Sequence, residues 1–232
     1  MKFSTPLFAL LVSASFLGLA DASAAVVLGQ IDDFESGTTL NWANGGGGGT
    51  PQPLNITTGG PAGANDNFLE ATADGSGAGG KLTVFNRTQW IGNYVGQGIN
   101  EIDMDLENLG TTTLTIRIAF KSTTANGAPG YLSAGVTLAA DSTWHHEVFQ
   151  ITAGTMLAIS SPAAFNTFFN SGEAEMRLIN EAGATNLNGD SVSSHLGIDN
   201  IKAIPEPGSA SLLLFAGGAA ILFHRIRRSC KC

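Results

Sequence analysis

Apolar and polar residues alternate with a period of two along most of this chain. The clearest case lies at 113–120, where every second residue is Leu, Ile or Phe. Successive side chains of a β-strand point to opposite faces, so the pattern predicts a strand with one face in a core. A second such segment lies at 101–107, where the residues between the apolar ones are all acidic. This periodicity excludes a mainly helical fold.

The same pattern recurs in short segments separated by turn-rich stretches. Further strands are predicted at 26–34, 68–73, 81–86, 131–138, 144–151, 175–179 and 196–203, and only 162–170 favours a turn or two of helix. About nine short strands at this spacing are typical of an antiparallel sandwich. We therefore predict an all-β fold, a single jelly-roll-like β-sandwich domain over residues 25–203.

Charge within the predicted domain excludes one class of partner. Residues 25–203 carry six Lys or Arg and seventeen Asp or Glu side chains, a formal charge of −11. A surface this acidic repels a phosphate backbone. Nucleic-acid binding is therefore not expected.

The first 24 residues have the organisation of a secretory signal peptide. Lys2 is followed by an apolar run at 6–19 and then by Ala22-Ser23-Ala24, the small-residue pattern that a signal peptidase cleaves. We expect the mature chain to begin near Ala25, after export through the inner membrane.

The last residues carry a second trafficking pattern. A proline-rich break at 205–207 precedes fifteen uncharged residues at 209–223 and a basic cluster. An apolar segment of this kind next to cations predicts a transmembrane helix at 209–223 with the cluster on the cytoplasmic side. The residues of this pattern are Pro205, Glu206, Pro207, Arg225, Arg227 and Arg228.

Residues 204–228 resemble the PEP-CTERM sorting signals of Gram-negative bacteria. The resemblance implies that an exosortase-type transpeptidase recognises the protein, which then passes to the cell surface or the extracellular polysaccharide matrix. It covers about thirty residues and leaves open whether the mature protein is anchored or released. The tail 229–232 extends past the family's pattern and contains both cysteines of the chain, Cys230 and Cys232, to which the sequence assigns no role.

The ends of the predicted domain are similar to those of carbohydrate-binding-module jelly rolls. The residues concerned are Ile31-Asp32-Asp33-Phe34-Glu35 followed by Trp42, and the segment 196–201 with the sequence LGIDNI. The resemblance implies that Asp33, Glu35 and Asp199 hold a structural Ca²⁺, a cation that takes several hard oxygen ligands. The alternative is that these residues are ordinary turn acids.

Aromatic residues in a polar segment are candidates for stacking on sugar rings. Trp90 and Tyr94 lie in the Gly- and Asn-containing segment 89–94, which predicts a loop, so we expect them to contact a glycan. The alternative is that both pack in the core, as most tryptophans of a domain this size do.

The chain lacks the sequence patterns of common catalytic sites. It contains no Gly-x-Ser-x-Gly, no His-Glu-x-x-His and no phosphate-binding loop. We therefore predict a non-enzymatic cell-surface or matrix protein that binds polysaccharide. One alternative is a secreted lyase or glycosidase that uses Glu147 and Glu175 as opposed carboxylates, and another is a structural adhesin without a small ligand.

Overall fold

The computed structural model describes residues 25–45, 51–76 and 80–205. The predicted signal peptide, transmembrane helix, basic cluster and two cysteines lie outside these residues. Within the described part of the chain, no helix has the length and apolar character needed to cross a membrane.

The described residues form thirteen strands and one short helix. They are β1 (Ile31–Asp32), β2 (Trp42–Asn44), β3 (Leu54–Ile56), β4 (Phe68–Asp74), β5 (Thr83–Gly92), β6 (Ile99–Asn108), β7 (Leu114–Ser122), β8 (Gly130–Leu132), β9 (Val136–Leu138), β10 (Trp144–Gln150), β11 (Leu157–Ile159), α1 (Phe165–Asn170), β12 (Ala174–Asn180) and β13 (Ser193–Pro205). All strand pairings are antiparallel.

Two sheets form the sandwich. The six-stranded sheet has the order β10-β6-β13-β4-β3, with β1 paired to β13. The seven-stranded sheet has the order β11-β8-β7-β12-β5-β2, with β9 paired to β7. Strand β13 is the longest and pairs with β1, β4 and β6, so it holds the first sheet together.

The core fills the space between the sheets. The alternate apolar residues of β6 and β7 that define the sequence pattern are all fully buried there, including Met104 and Phe120. Helix α1 contributes Phe169, whose ring centroid lies 4.9 Å from that of Phe120 in an edge-to-face arrangement. Burial of this apolar surface is the main favourable term in the folding free energy.

The structure confirms the predicted all-β sandwich and corrects several strand boundaries. Only residues 31–32 of the predicted strand 26–34 form a β-strand, because Gly29 and Phe34 adopt positive φ angles of 80° and 55° and turn the chain. The predicted strand 131–138 is divided into β8 and β9 at Ser133, whose hydroxyl accepts the Ile118 N–H and donates to the Ala134 carbonyl. Strand β13 extends to Pro205, since a proline fits where no further ladder hydrogen bond is donated.

Candidate functional site

The outer face of the six-stranded sheet is acidic. Four carboxylates alternate along β6, at Glu101, Asp103, Asp105 and Glu107, and all four are buried or half-buried. Imidazole Nδ1 of His146 lies 2.9 Å from Asp105 Oδ1, and its Nε2 lies 3.7 Å from Asp103 Oδ2. This face therefore concentrates negative charge around a bridging histidine.

Trp144 packs onto this acidic face. Its ring lies edge-to-face against Phe68 with 5.3 Å between centroids, and its Nε1–H donates to the Gly59 carbonyl at 3.0 Å. A Cβ atom at Gly197 would come within 2.9 Å of the indole, so the glycine is what allows the ring to approach the sheet. The indole is thus held against the protein.

Asp199, one of the three predicted calcium ligands, lies on the acidic face. Asp199 is 1% exposed on β13, in register with Asp105. Burial raises the pKa of Asp199 to about 7, with further contributions from the charges of Asp66, Asp105 and Glu35. In this position the ionised form of the carboxyl group is disfavoured, and a bound cation would stabilise that form.

The structure brings Glu35 and Asp199 into the same electrostatic environment but does not do so for Asp33. Glu35 Oε1 accepts the Asn67 N–H at 2.8 Å, which attaches the first turn to the segment before β4. Asp33 is exposed, and its Oδ1 accepts the Glu35 N–H at 3.3 Å within its own turn. Among the described residues, no three His, Cys, Asp or Glu side chains are arranged to hold a metal ion by themselves.

The predicted glycan contacts Trp90 and Tyr94 are instead core residues. Both side chains are fully buried, and Trp90 lies on β5. Asp32 Oδ2 accepts hydrogen bonds from Nε1 of Trp90 and of Trp42, each at 2.7 Å, while Tyr94 Oη donates to the Trp90 carbonyl at 2.7 Å. Their apolar rings fill the core and their polar atoms are satisfied inside it, so we do not retain them as glycan contacts.

The outer face of the seven-stranded sheet carries an open cavity of about 420 Å³. We call it the arginine cavity. Strands β5, β7 and β12 contribute Arg87, Lys121, Glu175 and Arg177 to its lining, and the segment after β7 contributes Thr123 and Ala128. Its volume falls in the range of small-molecule sites, about 300–1,000 Å³.

A bulged segment of β5 places Arg87 over this cavity. Opposite β12, the register passes from Ile91 to Asn86 across one step, so residues 87–90 protrude from the ladder. Asn86 Oδ1 stabilises the protrusion by accepting the N–H of Thr88 at 2.9 Å and that of Trp90 at 3.4 Å. Bulges of this kind redirect side chains at sheet surfaces.

Glu175 forms the floor of the cavity between two arginines. Its Oε2 accepts Arg87 Nε–H at 2.5 Å, and its Oε1 accepts Arg177 Nε–H at 2.6 Å. The guanidinium carbons of Arg87 and Arg177 lie 4.4 and 5.2 Å from the ring centroid of Phe85. These ion pairs and cation–π contacts fix both guanidinium groups before any ligand arrives.

A loop after β12 contacts Lys121 of the cavity lining. Asn188 Oδ1 accepts Lys121 Nζ–H at 3.0 Å, and the Asn188 carbonyl accepts the Thr83 hydroxyl at 2.7 Å. Leu187 of the same loop is buried against Ala119 and Leu132 on the outer face of the sheet. Part of this face is therefore covered, and the cationic part remains open.

The carboxylates proposed for an enzymatic alternative are far apart in the fold. Glu147 lies on β10 of the six-stranded sheet, whereas Glu175 lies on β12 of the other sheet. Glu175 is also engaged by Arg87 and Arg177. The two groups therefore do not face each other across one cleft, as a glycosidase pair must.

A second cavity has a different character. It is lined mainly by apolar side chains, including Leu28, Ile99, Ile151 and Phe165, and adjoins Pro205. It offers few groups that could orient a hydroxylated ligand. The arginine cavity is therefore the better candidate site.

The fold is an antiparallel β-sandwich, which solved carbohydrate-binding modules share. A family 11 carbohydrate-binding module from Clostridium thermocellum, solved with a β-1,3-1,4-mixed-linked tetrasaccharide, is similar with a TM-score of 0.50 and 17% identity over 78% of this chain and 97% of the module.

Two further solved structures extend the comparison. The family 11 module of a cellulosomal cellulase of the same organism has a TM-score of 0.50 and 18% identity over 78% of this chain and 96% of the module. An exo-β-agarase has a TM-score of 0.54 and 12% identity over 77% of this chain but only 26% of the agarase. At these identities the likeness establishes the fold. The sequence matches no protein-family model and no curated protein.

Proposed function

We propose that this protein is an exported, non-enzymatic β-sandwich that binds polysaccharide at the cell surface or in the extracellular matrix. The observation that carries the proposal is the arginine cavity, an open site in which hydrogen-bond donors are already held in place. A small number of fixed polar groups is what orients a ligand in a site of this size. The similar family 11 module was solved with a bound tetrasaccharide, which supports the same use of this fold.

Export and sorting belong to the same proposal. Residues 1–24 supply the signal peptide, and residues 204–228 supply the PEP-CTERM-like signal for an exosortase-type transpeptidase. A polysaccharide-binding domain delivered by this route would meet its ligand outside the cell. The separation of Glu147 and Glu175 on different sheets supports binding without hydrolysis.

Affinity electrophoresis of the purified protein in gels containing soluble polysaccharides tests this function. Retardation by at least one polysaccharide, with the polymer's chain length unchanged after incubation, is the expected result. Unaltered mobility in every gel would refute the binding function, and shortened chains would refute its non-enzymatic character.

We also propose that a structural Ca²⁺ stabilises the acidic end of the six-stranded sheet. Glu35 and Asp199 would hold it, because these are hard oxygen donors whose mutual repulsion a divalent cation relieves. Ca²⁺ would contribute stability here.

Thermal unfolding in millimolar CaCl₂ and in EDTA tests the calcium proposal. We expect calcium to raise the Tm of the wild-type protein and of the Glu173→Gln control, and to have little effect on Asp199→Asn. Equal Tm values with and without calcium in the wild-type protein would contradict the proposal.

A further inference from the structure

Half of the positively charged side chains of residues 25–203 lie at one place on the surface. Only six Lys and Arg side chains occur among residues 25–203, and three of them, Arg87, Lys121 and Arg177, line the arginine cavity. Glu175 is the one acid in that lining. The cavity therefore carries a formal excess of two positive charges inside a domain of formal charge −11.

Glu175 cannot neutralise all three cations. Each of its oxygens is committed, Oε2 to Arg87 and Oε1 to both Nε and Nη2 of Arg177. With Glu175 only 1% exposed, this ion pair fixes the floor of the cavity. One anion thus serves as an anchor for two guanidiniums, and the remaining positive charge faces the opening.

The pKa of Lys121 reflects this excess of positive charge. Burial lowers the pKa of its ammonium group, and the neighbouring charge of Arg177 lowers it further. Its hydrogen-bond partner, Asn188 Oδ1, is neutral. An anion placed beside Lys121 would relieve the repulsion among the three cations.

Arg87 is the group best placed to meet such an anion. Its side chain is 60% exposed, and it engages Glu175 through Nε–H. None of the described residues accepts a hydrogen bond from its terminal amino groups, which carry four of the five guanidinium N–H donors. Because Glu175, Phe85 and the bulge already hold the guanidinium, little ordering cost remains at binding.

We infer that the arginine cavity selects acidic polysaccharides by binding an anionic substituent, a uronate carboxylate or a sulfate ester, at Arg87 and Lys121. This inference rests on the proposed polysaccharide-binding function and names its ligand class. The overall charge of the protein opposes approach of a polyanion, so such binding has to come from this local site rather than from general attraction.

Matched pairs of polymers separate charge from sugar recognition. Polygalacturonate is compared with fully methyl-esterified pectin, and dextran sulfate with dextran, by affinity electrophoresis and isothermal titration calorimetry on the purified protein. We expect at least one acidic polymer to bind about tenfold or more tightly than its neutral partner. The pair that responds distinguishes carboxylate from sulfate.

Substitutions of Arg87 and Lys121 test whether these two residues bind the anionic substituent. Arg87→Ala and Lys121→Met should each weaken binding of the acidic polymer about tenfold or more, as expected for loss of a charge-assisted hydrogen bond. Arg87→Lys should weaken it less, because it retains the charge. Lys202→Ala is the matched control, since this exposed cation lies on the other sheet, and it should leave the affinity unchanged.

Each contrary result has a distinct meaning. Equal binding of acidic and neutral polymers overturns the inference. So does wild-type affinity in both Arg87→Ala and Lys121→Met, with circular dichroism showing native folding. Either result leaves the polysaccharide-binding function standing. Binding to no polymer of either kind overturns both.

Discussion

The two outer faces of the sandwich share one core and carry opposite charge. On the six-stranded sheet, β6 presents four carboxylates in a row, and Asp199 lies beside them. On the seven-stranded sheet, three cations surround a single buried glutamate. The core between the sheets is mainly apolar, so the charge difference between the sheets lies in their outward positions.

On both faces the pKa values of ionisable side chains are shifted so as to disfavour their charged forms. These side chains are acids on one face and cations on the other. Burial, and then the charge of Glu101, raises the pKa of Asp103, as burial and three nearby acids do for Asp199. On the other face, burial lowers the pKa of Lys121 and Arg177. Each face therefore holds charge that its own side chains do not neutralise, which favours a cation on one and an anion on the other.

The largest contrast between the faces should appear when an acid is removed from each. Glu175→Ala leaves Arg177, which is 8% exposed, without its partner, and we expect a loss of about 3–5 kcal/mol of unfolding free energy. Glu70→Ala on the other face removes a half-exposed pair with His195 and should cost under about 1 kcal/mol. Urea unfolding measures both. Similar losses from the two substitutions would show that the ion pairs of the faces do not differ in this way.

A smaller effect should follow from the raised pKa of Asp199, about 7 against an ordinary value of 3.8. Between those values the folded protein binds more protons than the unfolded chain, so stability in calcium-free buffer should fall as pH rises from about 4 to about 7. At about 1.4 kcal/mol per pKa unit, the fall amounts to a few kcal/mol at most.

Substitution of Asp199 tests whether this residue causes the fall of stability with rising pH. Asp199→Asn should flatten it and should be more stable than the wild-type protein above pH 7 without calcium. Asp141→Asn, an exposed acid whose pKa is lowered by hydrogen bonds from Thr143, should keep the slope. A slope unchanged by Asp199→Asn would assign the pH dependence to another group.

A modest effect is expected at Trp144, the indole on the acidic face. Trp144→Ala removes its contacts with Phe68 and Gly197 and should cost about 1–2 kcal/mol of stability, since the ring is only half-buried. Polysaccharide affinity should stay within about twofold of wild type. A loss of affinity comparable to that of Arg87→Ala would move the binding site to the six-stranded sheet.

Sequence patterns predicted the parts of this protein that follow from local periodicity. The alternation at 101–107 and 113–120 placed β6 and β7 correctly, with their apolar residues in the core. Three-residue strands such as β2 and β11 are too short to show a period, and their pairing is decided by neighbours distant in sequence.

The candidate site was only partly predictable. The polarity of segment 89–94 suggested a loop, but Trp90 and Tyr94 pack in the core. There Asp32 accepts the Trp90 Nε1–H from 58 residues away, and the Tyr94 hydroxyl donates to the Trp90 carbonyl. Lys121 directly follows the predicted strand 113–120, so continuing the alternation by one residue would have placed it as an outward cation. Its meeting with Arg87 and Arg177 depends on the bulge in β5 and on pairing between β5, β12 and β7, which no local pattern encodes.

Strand β13 sets the order in which this protein can fold. It is the last of the described strands along the chain, and β4 and β6 join the same sheet only through it. A polypeptide that emerges with its N-terminus first therefore displays β4 and β6 with unsatisfied edges until residues 193–205 appear. Such long-range closure is slow and leaves apolar strands exposed in the meantime. On the export route proposed above, the unclosed chain would cross the membrane in extended form, and completion of the sheet on the far side would oppose its return.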